Sequence, residues 1–307
     1  MKLPFTSRRE KTHENRSSIE KQKDVGLSKG ADAKKIRPLL GKTLGRSHLL
    51  RGVAVKGRKT IEHIQDWRDA KPKGQSISYR TLLRLHKSHS AQFPDNLAHR
   101  MRRALSWIRC AEKAYAADKG NQDSFFMFYW IAFNAAYAQR TNPAAAQRAN
   151  ESAPRERDIF HEFLRRIIDL DKEHAIYNVI WDNFPLIIRE ILDNEYVFKW
   201  FWYDQYGDNA HDRWEESFQR SKRRAHHALN SRDTKTIAQI LFDRLYELRN
   251  QLMHGCATWK GGVNRPQVEQ GAKIMAAIVP LILKTMMENH REDWKRPPCL
   301  MHHYTAT

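Results

Sequence analysis

From about residue 98 onward, apolar side chains return at the 3.6-residue period in segment after segment, while glycine and proline are sparse. A chain patterned this way must bury one stripe of each segment against its neighbours, which limits it to helix packed on helix. The spacing predicts helices over roughly 98–117, 122–139, 155–171, 173–193, 210–229, 234–254 and 266–290. The expected fold class is therefore all-α, a helical bundle of about 190 residues, long enough for one core. Asn264-Arg265-Pro266 offers a cap with proline near the first position of the last helix, and Pro280 should kink that helix at mid-length. Trp107, Phe126, Trp130, Phe133 and Tyr137 fall at helical intervals and read as core. The aromatic cluster of Trp181, Phe184 and residues 198–203 reads as packing between helices, with a dimer interface as the second choice.

The bundle is bounded at 96–292. Residues 1–35 have few large apolar groups to offset ordering entropy and read as a disordered basic leader. Residues 36–95 form a small basic segment of helical or mixed fold, and 293–307 a tail. Residues 1–75 hold 20 Lys and Arg against 8 Asp and Glu, a surplus of +12 out of a total of +19. A polybasic arm gains affinity for a phosphate backbone by counterion release, without regard to base sequence.

Several function classes drop out. No apolar core of a signal peptide follows Met1, and Glu10, Glu14 and Glu20 do not suit a mitochondrial presequence. The longest apolar run, Ile274 to Leu283, is interrupted by Pro280 and falls short of the roughly 20 residues a span needs, so a soluble, cytoplasmic protein without a membrane partner is expected. Cys110, Cys256 and Cys299 are too few and too far apart for a disulfide framework. No ligand spacing calls for a metal or another cofactor; Cys299 with His302 and His303 comes nearest. There is no Gly-rich phosphate loop and no nucleophile elbow.

The chemistry concentrates at Leu248-Arg249-Asn250-Gln251-Leu252-Met253-His254-Gly255. Ile237, Ile240, Leu241, Leu245, Leu248 and Leu252 form the apolar stripe of this helix, and Arg249, Asn250 and His254 fall off it. Arginine keeps its charge and forks onto phosphate oxygens, whereas histidine titrates near neutrality and moves protons. Gly255 supplies the helix stop, leaving His254 where the macrodipole favours a cation. The same residue types also serve as plain C-terminal caps. Five residues on an ideal helix give about 140° of rotation and about 7.5 Å of rise, so Arg249 and His254 flank a face, while Asn250 and His254 share one with Tyr246 above them. Beyond the motif, Trp259 offers a stacking face and Lys260 and Arg265 offer charge for nucleic-acid binding, around a Gly261-Gly262 turn; a capping loop is the equal alternative. Asn134, an amide within an apolar helix, must pin the Arg249 helix or line the site.

Arg249, Asn250 and His254, together with residues 124–137 and 103–109, resemble the Arg-x4-6-His motif and the first two helices of the HEPN family, over about residues 98–292. The resemblance implies a HEPN-like bundle and, where members are enzymes, a metal-independent endoribonuclease working as a homodimer with a composite site. It implies catalytic roles for Arg249, His254 and Asn250. His254 would move the protons, Arg249 would stabilise the phosphorane charge, and Asn250 would orient His254 or the phosphate. RNA is the expected partner, in a defence or toxin–antitoxin setting, with an antitoxin or nucleotidyltransferase as a further one. In one toxin branch such a transferase modifies a tyrosine two residues after the histidine; Cys256 stands there in this chain. The alternative function is a non-catalytic nucleotide- or nucleic-acid-binding HEPN module.

Overall fold

The computed structural model describes residues 77–140, 154–205, 214–262 and 264–298. The expectations for the leader, for most of segment 36–95 and for Cys299, His302 and His303 lie outside these residues. Helices make up the described chain, and no strand occurs within it. We number them α1 (Tyr79–His89), α2 (Asp95–Ala117), α3 (Gln122–Tyr137), α4 (Glu156–Leu170), α5 (Ala175–Asn178), α6 (Pro185–Leu192), α7 (Lys199–Gln205), α8 (Trp214–Asn230), α9 (Thr234–Met253) and α10 (Arg265–Glu288). The all-α class is as the periodicity predicts.

α3 is apolar nearly all round, and such a helix is stable only when neighbours cover it. It lies between α2 and α10, and Phe126, Trp130, Phe133 and Tyr137 are all buried in the resulting core. Trp107 is half-buried, against Phe128. α9 packs on α4, α6 and α8 and buries Ile237, Ile240, Leu241, Leu245 and Leu248. Its N-terminus is capped by Asp233, whose carboxylate accepts the Thr236 N–H at 3.0 Å.

Three local outcomes differ from the periodicity. The continuous helix expected over 173–193 is interrupted: α5 passes into a π-helical turn at Val179–Asn183, and α6 restarts at Pro185. Proline lacks the N–H that would continue the ladder but suits a first helical position. α1 joins the bundle against α2 and α10 with Leu82 fully buried, so helical packing begins before residue 95. The packed core also extends past residue 292. The buried Trp294 stacks under Arg166, and Arg100 donates to the Lys295 carbonyl at 2.7 Å and to the carbonyls of Ala136 and Ala138 that end α3. Burial lowers the Arg100 pKa to about 10.

α10 runs unbroken through the buried Pro280. By length and composition it would suffice to cross a membrane, more than the run Ile274 to Leu283 suggests, but 67% of its apolar window is buried inside the bundle. It is the core helix that α3 requires. Asn264 occupies the N-cap position in the left-handed region (φ 53°), and its side chain does not cap; it donates instead to Gln251 Oε1 at 2.6 Å.

Candidate functional site

α9 ends in a Schellman motif. The Cys256 N–H bonds the Gln251 carbonyl at 2.9 Å, the Gly255 N–H points to the Leu252 carbonyl at 3.4 Å, and Gly255 adopts φ 71°. The expected glycine stop is therefore present. It leaves His254 as the C-cap residue just past Met253, solvent-exposed, with its N–H on the Asn250 carbonyl. Gln251 anchors this end from within: its amide donates to the Tyr196 carbonyl at 2.6 Å and accepts from Asn264. Met253, beside His254, is 56% exposed.

The His254 side chain lines a groove of about 650 Å³ between the end of α9, the start of α4 and α7. Asn250, Tyr246 and Gln251 come to it from α9, Arg155 and Arg157 from the α4 end, and Lys199, Trp202 and Tyr203 from α7. Sequence reasoning missed the last two groups. The signal was present in Lys199-Trp200-Phe201-Trp202-Tyr203, where a cation sits among aromatic rings, and in Arg155-Glu156-Arg157 at a helix start.

Arg249 is not among the walls of this groove. Its Nη1 donates to Asn250 Oδ1 at 2.9 Å, its guanidinium lies over the Tyr246 ring, and its Nε is buried with no acceptor among the described residues. That contact occupies the acceptor end of the Asn250 amide and leaves its N–H donors for the groove. The carboxylate of Glu156, which also lines the groove, accepts from Tyr137 at 2.7 Å and Tyr246 at 3.0 Å. Burial first, then this carboxylate, holds both phenols above their ordinary pKa. Burial also raises the Glu247 pKa, against the opposing pull of Arg157 and Lys199. Asn134 lies on the α3 face of Trp130 and Tyr137; its Oδ1 is buried without a donor among the described residues, and it does not line the groove.

The loop after the motif is tied down on the α2–α3 turn. Arg265 Nη2 donates to both Asp123 oxygens at 3.0 and 3.1 Å, Lys260 pairs with Asp118 at 2.6 Å, and the Lys260 N–H bonds Asp123. Trp259 remains 68% exposed. Two of the three residues expected to bind nucleic acid thus have their charge matched by a carboxylate, and none of the three lines the His254 groove. Among the described residues no group of three His, Cys, Asp or Glu side chains converges as a metal site. Cys110 and Cys256 are exposed and not in disulfides.

No protein-family model, curated protein or solved structure matches this chain.

Proposed function

We propose that the chain is a HEPN-type, metal-independent endoribonuclease whose site is the groove at the end of α9. The observation that carries this reading is the exposed His254 imidazole on a groove that also presents Asn250, Arg155, Arg157 and Lys199. His254 takes the proton of an RNA 2′-hydroxyl, the O2′–P bond forms, and the P–O5′ bond breaks as the 5′-oxygen gains a proton. The products are a 2′,3′-cyclic phosphate and a 5′-hydroxyl. The Asn250 amide, held by Arg249, donates to a non-bridging oxygen, and Arg249 adds positive charge from behind. The protonating group is the second His254 of a homodimer joined at the α9 ends, where Met253 offers apolar surface.

The test is RNA cleavage in EDTA by the parent chain, His254→Ala, Asn250→Ala and Arg249→Ala, alongside RNA binding and sedimentation. We expect His254→Ala to lose about 10²–10⁴-fold in rate with RNA binding retained. Cleavage that needs a divalent ion, or that persists in a micromolar monomer, overturns the mechanism. The position of Arg249 outside the groove wall favours a second reading, a non-catalytic nucleic-acid-binding module, which holds if the parent binds RNA and never cuts it.

A further inference from the structure

A second recess, of about 350 Å³, opens beside the groove between α7, α8 and α9 and shares Arg157, Lys199 and Glu247 with it. Its α8 wall is a polar stripe, Ser217, Arg220, Ser221 and Arg224, at the i, i+3, i+4, i+7 spacing of one helix face. The α9 wall supplies Arg244, which is only 3% exposed.

Arg244 is the unusual member. Its guanidinium lies over the rings of Phe198 and Phe218, Nη2 donates to Ser221 Oγ at 3.0 Å, and Nε is buried without an acceptor among the described residues. A guanidinium has five donors, and burying one with donors unmet is costly unless an anion joins it. The two carboxylates of the recess, Asp243 and Glu247, pair with its Arg157, at 3.0 Å and 2.9 Å, and His161 shares Asp243; neither forms an ion pair with Arg244, Arg220 or Arg224 among the described residues. Arg157, Lys199, Arg220, Arg224 and Arg244 outnumber the two acids of the recess, which Arg157 engages, and Arg220 and Arg224 form no ion pair among the described residues. Desolvation lowers the Arg244 pKa to about 10, which still leaves the group charged at neutrality.

We propose that this recess is a phosphate-binding site, in which Arg244, Arg220 and Arg224 hold a phosphate group with Ser217 and Ser221 as hydroxyl partners. The phosphate comes either from an RNA strand lying along the adjoining groove or from a separate small phosphorylated ligand. The site does not depend on the groove being catalytic.

The experiment is titration of the full chain with pyrophosphate, read by calorimetry and by thermal shift, against chloride at matched ionic strength. Saturable binding by the parent is expected, about tenfold or more weaker in the double variant Arg220→Ala/Arg224→Ala, since each contact to phosphate is a charge-assisted bond. His254→Ala should bind as the parent does. Equal affinity in the double variant, or an equal response to chloride, overturns the proposal. Arg244→Lys keeps the charge and loses the fork; if it folds and binds like the parent, Arg244 is not part of the site, and if it fails to fold the exposed α8 pair decides alone. Displacement of a short oligoribonucleotide by pyrophosphate from the parent but not from the double variant identifies the strand as the source, and saturable binding without displacement identifies a separate ligand. Because no cleavage is measured, loss of this site leaves the ribonuclease reading standing, and the reverse holds.

Discussion

Gly255 shows how a single position shapes the site. At φ 71° it closes the Schellman motif, and a Cβ built there meets nothing within 4 Å, so a substitution costs only backbone strain. Gly255→Ala should lower stability by about 1 kcal/mol, read as a shift of the urea midpoint at unchanged slope. An unchanged midpoint would mean that the turn does not need the left-handed conformation. Asn250 and Arg249 make the complementary point. They are neighbours in sequence about 100° apart on the helix, yet the flexible arginine reaches round to Asn250 Oδ1, a contact that spacing alone does not reveal.

At the scale of elements, the crossing of α10 over α3 and α9 depends on Gly271. A Cβ there would stand 3.1 Å from Leu245, Leu248 and Phe126 side-chain carbons at once. Alanine gains about 1 kcal/mol in helix propensity but overpacks a core that loses about 1–3 kcal/mol to such strain. Gly271→Ala should therefore destabilise by about 1 kcal/mol, and a raised thermal midpoint would show that the three side chains yield freely. The interruption at Pro185 belongs to this scale too. It was written in the sequence as a proline, but the π turn before it satisfies backbone in a way no periodicity encodes.

For the whole molecule, the charge is uneven: a surplus of +12 lies in residues 1–75. Deleting residues 1–35 should weaken RNA binding and flatten the dependence of log affinity on log salt, with turnover at saturating RNA little changed; an unchanged slope refutes the role of the arm. Helix content, the buried faces of α3 and α9 and the glycine stop were legible in the sequence, because each depends on residues within a few turns of one another. The polar trio was legible as a motif, but its arrangement was not: Arg249 stands behind Asn250, and the loop cations Lys260 and Arg265 are bound to Asp118 and Asp123 more than 130 residues away. The walls of the His254 groove and of the Arg244 recess come from α4, α7, α8 and α9. Local periodicity follows from the 3.6-residue turn and is written in every segment. Which charged side chains meet across helices depends on how those segments pack, and only the tertiary structure decides that.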